Sequence, residues 1–194
     1  NYFVTKGQDK AVLNTPVTHL KYYGQSCDNF VTILTKWLKI ENIYGFRHIM
    51  STIAGWLTIM ITALFAIWLT GYRTGIMVLV LFAVSPTYLG HSQNNLKDIP
   101  FALGYISSLY FTAKFMVSGA RMSLKTIIFL TVSIAFTISI RAGGLLLICY
   151  LFFFYSLFWL YKYLVSGEVN FRESRNKLLW MGTISVVSWL LSIL

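Results

Sequence analysis

Between Ser85 and Phe101 the chain gathers His91, Gln93, Asn94, Asn95, Lys97 and Asp98 into one polar island framed by Pro86 and Pro100. Such a set offers a carboxylate for general-base work, an ammonium group for an anion, and imidazole and amide groups for hydrogen bonding. The flanking segments are long and apolar, and polar groups at the mouth of a membrane are costly unless they face water, protein or a substrate. A short loop between membrane helices is also polar simply because it is wet, so the island admits a purely structural explanation. Each proline removes a backbone donor and biases the residue before it away from the helix, which predicts interrupted helices near Pro86 and Pro100 with a short loop between them.

Two other clusters carry similar chemistry: Tyr22-Tyr23-Gly24-Gln25 with Asp28, and Arg47-His48, to which Arg141 at a helix end adds a further cation. An arginine at a helix mouth suits a phosphate, because its planar guanidinium stays ionised and makes paired charge-assisted hydrogen bonds. Arg47 and Arg141 equally suit a role as anchors that snorkel to lipid headgroups. His48 and His91 lack the HExxH or paired-cysteine spacing of a metal site, and a divalent metal is not readable from the sequence. Asp98, just ahead of Ile99-Pro100, is either an N-cap for the next helix or a carboxylate at the lipid boundary.

The elements that must position these residues follow from composition. Of 194 residues, 57% are hydrophobic and 11% charged, against roughly 25% charged in soluble domains. That points to a polytopic, all-α transmembrane helical bundle. The net charge of +10 sits in short loops between apolar runs and fits the positive-inside pattern better than a nucleic-acid partner. Cys27 and Cys149 stand in unlike settings and indicate neither a disulfide nor a metal centre. No phosphate-binding loop, dinucleotide fingerprint or nucleophile elbow is present.

Residues 1–50 read as an extracytoplasmic segment containing a surface-lying amphipathic helix over about 28–44 in the first outer loop, capped by Asp28 or Asn29. Phe30, Ile33, Leu34, Trp37, Leu38 and Ile40 form its apolar stripe. Residues 51–194 read as a transmembrane helical region with apolar runs at about 51–70, 75–90, 99–117, 125–140, 142–163 and 178–194. A start at Asn1 without methionine and an end inside an apolar run lead us to expect a fragment of a longer protein. Short loops carrying Arg73, then Lys114, Arg121 and Lys125, then Lys162, Arg172, Arg175 and Lys177 alternate with loops carrying only Lys97 and Arg141. The first set is expected on the cytoplasmic side and residues 91–98 outside, which puts all three polar clusters on one outer face.

The order of Tyr22-Tyr23-Gly24-Gln25, Arg47-His48, Ser85-Pro86, Gly90-His91-Ser92, Asn94-Asn95, Lys97-Asp98-Ile99-Pro100 and Ser139-Ile140-Arg141-Ala142-Gly143-Gly144 resembles bacterial membrane glycosyltransferases of the protein O-mannosyltransferase type, family 39 of the C-type superfamily. The resemblance implies a multi-pass protein of the bacterial inner membrane that moves a sugar from a polyprenyl-phosphate donor to an extracytoplasmic protein, lipid or glycan acceptor. It implies Asp98 as the second-loop acid of the site, and Asp28, Asp9 or a residue ahead of Asn1 as the first-loop catalytic acid. Arg141, Arg47 and Lys97 are then expected at the donor phosphate, and His91, Asn95, Tyr23 and His48 at the substrate. A transporter, or a non-catalytic membrane assembly subunit, is the competing class, since intramembrane charges also bind solutes.

Overall fold

The computed structural model describes residues 26–118, 123–166 and 171–193. Among them are eight α-helices and no strand: α1 Ser26–Trp37, α2 Ile43–Thr70, α3 Tyr72–Val84, α4 Pro86–Asn94, α5 Asp98–Val117, α6 Leu124–Ile140, α7 Leu146–Ser166 and α8 Phe171–Ile193. The chain is an all-α helical bundle. α2, α8 and the segment Ala142–Val165 are long and apolar enough to cross a membrane, and α3 with α4 forms a further candidate span bent by 73°. Large apolar side chains such as Ile53, Trp56, Leu81 and Phe153 face outward, as expected where hydrocarbon rather than water is the neighbour.

Local signals set the helix ends. α1 stops at Trp37, short of residue 44, through a Schellman motif: Ile40 N–H donates to Thr35 O at 3.0 Å, Lys39 N–H donates to Lys36 O at 3.3 Å, and Lys39 takes φ 53°. Asn42 opens α2, its Oδ1 accepting from Gly45 N–H at 2.9 Å. Ser85 caps α4, accepting from Tyr88 N–H at 3.3 Å, with Pro86 in the first helical position. The expected loop after Pro86 is therefore mostly helix. Pro100 does not interrupt α5 either, because it lies in the first turn, where backbone N–H groups have no partner within the helix.

Packing between helices uses small residues. A Cβ on Gly55 would lie 2.6 Å from Ser92 Cβ, and one on Gly104 would lie 2.4 Å from Thr137 Oγ1, so α2 meets α4, and α5 meets α6, at close range. Phe115, Leu130, Ile134, Leu151, Met181 and Ile184 close the core between α5, α6, α7 and α8. After α6 a 3-10 turn, Ala142–Leu145, reverses the chain. Gly144 allows that reversal, since a Cβ there would fall 2.6 Å from Ile138 N. The neighbouring Gly143 meets only Phe101, at 3.8 Å.

Arg172, Arg175 and Lys177, expected in a loop, lie on α8. Lys177 is buried: its Nζ donates to Met116 O at 3.0 Å and pairs with Glu173 at 3.3 Å. It thereby satisfies a carbonyl at the end of α5, where a cation also complements the helix dipole.

Candidate functional site

The starts of α1, α2 and α5 and the end of α6 meet at one end of the bundle, and Asp28, Arg47, Asn95, Asp98 and Arg141 meet there too. Arg47, in the second turn of α2, donates to Asp28 Oδ1 at 2.5 Å. Asp28 lies in the first turn of α1 and does not cap it. Ser26, at the start of α1, donates to Ser139 O at 2.8 Å, two residues before Arg141. Arg141 in turn forms an ion pair with Asp98 Oδ1. A network from α1 to α2 and α6, and from α6 to α5, thus draws two carboxylates and two guanidinium groups into one region.

Asn95 organises the acidic side of this region. Its Oδ1 accepts from Asp98 N–H at 2.9 Å and from Lys97 N–H at 3.2 Å, supplying the cap that was one of the two roles open to Asp98. Its Nδ2 donates to Asp98 Oδ2 at 2.6 Å. Both Asp98 oxygens are therefore engaged, one by a guanidinium and one by an amide. The Arg141 guanidinium also lies 5.8 Å from the Phe101 ring centroid, a cation–π contact that steadies its plane. The Asp98 side chain is 51% exposed, so its carboxylate is reachable from outside the bundle.

A cleft of about 600 Å³ opens beside this network between α2 and α4. His48, Gln93 and Asn94 line its polar end, and Ile49, Ile53 and Trp56 continue it down the outer face of α2. His48 Nδ1 lies 2.8 Å from Gln93 O, which fixes its ring against α4. The gradient from polar to apolar suits an amphiphile that enters sideways from the membrane. His91 lines a smaller recess with Thr87, Gly90 and Asn94, and is not brought to the Asp98–Arg141 pair by any described contact. Lys97 precedes α5 and is half-buried. Tyr23, together with Tyr22, Gln25 and Asp9, lies outside the described residues.

Among the described residues no group of three His, Cys, Asp or Glu side chains could hold a metal ion. Sequence reasoning missed Ser26, and it missed the backbone carbonyls of Ser139 and Gln93 as the acceptors that join the clusters. Such partners leave no compositional trace. Near the site, burial and the adjacent Asp28 carboxylate push the Cys27 thiol up to about 11. No family model, characterised protein or solved structure matches the chain.

Proposed function

We propose that this chain belongs to a multi-pass glycosyltransferase of the bacterial inner membrane that moves a sugar from a polyprenyl-phosphate donor to an extracytoplasmic acceptor. The observation that carries this reading is the Asp98–Arg141 ion pair at the α5–α6 end. Transfer to a hydroxyl or amine needs a base for the acceptor proton and a cation for the departing phosphate, and this pair holds one of each in contact. In the resting arrangement the two neutralise each other. A donor phosphate presents two or more oxygens to Arg141 and competes with Asp98 for it, which frees the carboxylate as the donor arrives. The acceptor oxygen or nitrogen then bonds to the sugar carbon, its proton passes to Asp98, and the carbon–oxygen bond to phosphate breaks with the electron pair leaving on phosphate beside Arg141. Asn95 orients Asp98, and the α2–α4 cleft receives the lipid portion of the donor.

The test is transfer from polyprenyl-phosphate mannose in liposomes by the complete protein. Asp98→Asn keeps size and hydrogen-bonding reach but removes the charge, and turnover should fall by about 100-fold or more. Arg141→Lys should raise the donor concentration required, since lysine keeps the charge and loses the bidentate fork. A thermally stable Asp98→Asn protein with full activity would remove the carboxylate from the chemistry and overturn the proposal.

The 73° break between α3 and α4 favours a second reading, a solute transporter, because broken spans place polar groups at membrane depth. Uptake of a solute by liposomes containing the protein, without any sugar transfer, would decide for it.

A further inference from the structure

Two hydrogen bonds and one close approach fix the walls of the cleft between α2 and α4. His48 Nδ1 lies 2.8 Å from Gln93 O, and the Tyr88 hydroxyl donates to Gly55 O at 2.8 Å. Gly55 also meets Ser92 so closely that a Cβ on it would lie 2.6 Å from Ser92 Cβ. The cleft is therefore formed before any ligand arrives, and its polar end has a defined hydrogen-bonding character.

A backbone carbonyl oxygen only accepts, so His48 Nδ1 carries the hydrogen in its bond to Gln93 O. In the neutral ring that leaves Nε2, on the opposite edge, as a lone-pair acceptor. Among the described residues Nε2 has no hydrogen-bond partner. Thr52 lies one turn further along α2, on the same face. Its hydroxyl hydrogen is committed to His48 O at 2.8 Å, so its Oγ1 presents lone pairs as well. On the α4 wall, Asn94 directs Nδ2 to Gly90 O at 3.4 Å and keeps Oδ1 as an acceptor. Acceptors thus gather on both walls, and among the described residues that line the cleft there is no carboxylate, ammonium or guanidinium group.

Such a lining suits hydrogen-bond donors that carry no charge. An ionised phosphate brings only acceptors and would oppose these lone pairs, and an ammonium group would find no carboxylate to balance it. Hydroxyl groups fit on both counts. We propose that the polar end of the α2–α4 cleft is a hydroxyl-recognition subsite, in which His48 Nε2 and Thr52 Oγ1 accept from neighbouring hydroxyls of a membrane-borne glycolipid. A lipid is favoured over a free sugar because Ile49, Ile53 and Trp56 continue the cleft along α2, a helix apolar enough to cross the membrane. Equating this glycolipid with the polyprenyl-phosphate donor rests on the transfer reaction proposed above, whereas the subsite itself does not. In that case the sugar supplies the hydroxyls, and the cleft prefers the loaded donor to the lipid phosphate left after transfer, which has lost them.

The experiment uses the whole protein in phosphatidylcholine nanodiscs with two probes: a long-chain vicinal diol brominated at its far end, and the same compound with both hydroxyls methylated. Bromine quenches nearby tryptophan emission. Of the six tryptophans, Trp56 lines the cleft, and its signal is the difference between the parent and Trp56→Phe. The diol should quench that signal at a mole fraction roughly tenfold lower than the dimethyl ether, as expected from two hydrogen bonds, while the other tryptophans do not distinguish the probes. His48→Asn with Thr52→Val should abolish the preference, because Asn keeps a donor for Gln93 O but lacks the acceptor at the far edge of the ring. Nitrogen NMR should show His48 protonated at Nδ1, with the Nε2 resonance moved by the diol and not by the ether. Equal quenching by the two probes in the parent, a preference that survives the double substitution, or an Nε2–H tautomer in the free protein overturns the proposal. Stronger quenching by a brominated alkylammonium of the same length would overturn the hydroxyl assignment. Binding is read here without sugar transfer. A diol preference in a protein that transfers no sugar would support the subsite and remove the transferase reading, and transfer without a diol preference would overturn the subsite alone.

Discussion

Ser26 donates its hydroxyl hydrogen to the carbonyl oxygen of Ser139, joining the first turn of α1 to the last turn of α6. This bond and the Asp28–Arg47 pair hold α1 across the end of the bundle, while its apolar side chains Phe30, Ile33 and Trp37 remain exposed. A hydrogen bond of this kind contributes about 1 kcal/mol net, and a half-exposed ion pair about 1 kcal/mol at most. Ser26→Ala combined with Asp28→Asn should therefore release α1 without unfolding the bundle. Hydrogen exchange should rise in residues 26–37 and stay unchanged in α5 and α6. Unchanged protection of α1 would show that membrane contact alone holds it.

Gly144 and Gly182 should respond oppositely to alanine. A Cβ on Gly144 would meet Ile138 N at 2.6 Å and Thr137 C at 2.7 Å, backbone atoms that cannot step aside. Thermal unfolding in detergent should show Gly144→Ala destabilised by about 1–3 kcal/mol. A Cβ on Gly182 meets nothing within 4 Å, so Gly182→Ala inside α8 should stabilise by roughly 0.5–1 kcal/mol. Similar shifts in both variants would contradict the close approach at Gly144.

The buried pair at the other end gives a sharper asymmetry. The Lys177 side chain is 5% exposed and that of Glu173 is 18% exposed. Glu173→Gln leaves an ammonium group buried with a carbonyl as its main partner, at a cost of about 3 kcal/mol. Adding Lys177→Met removes that charge, so the double variant should be more stable than Glu173→Gln alone. A double variant that melts below the single one would show that the Lys177–Met116 bond matters more than the buried charge.

Cys27 should be slow to react. Maleimides attack the thiolate, and with its pKa pushed up to about 11 the thiol stays protonated through neutral pH. Labelling should accelerate as pH rises towards that value. Asp28→Asn should shift the profile to lower pH, because it removes the neighbouring negative charge that adds to the effect of burial. Rapid labelling at pH 7, checked in a Cys149→Ser background, would show the thiol to be more accessible than its surroundings indicate.

Apolar periodicity made most of the helices legible, because a run such as 51–70 can bury its backbone polar groups only as a helix. Boundaries were less legible. Ser85-Pro86 carries a clear capping signal, yet the polarity of the residues after it drew them towards a loop. The end of α1 depends on Lys39 in the left-handed region, a conformation that a lysine does not advertise. In the candidate site Asp28, Arg47, Asp98 and Arg141 were recognisable by type. Their pairing was not, since it depends on how α1 and α6 return to the same end of the bundle. Lys177 was counted as a loop cation because its carbonyl partner, Met116, lies on another helix.

The turn at Ser85 also has a consequence for the membrane itself. α3 has 13 residues and even upright reaches about 20 Å, to which α4, leaning away by 73°, adds only about 4 Å. A hydrocarbon slab of about 30 Å is not covered by that length, and thinning of the bilayer is one way a span this short is accommodated. A bilayer thinned beside α3 would place its dent next to α4, one of the two helices that border the cleft at His48. A phosphate travelling with its lipid would meet a shallower barrier at such a dent than across a bilayer of full thickness.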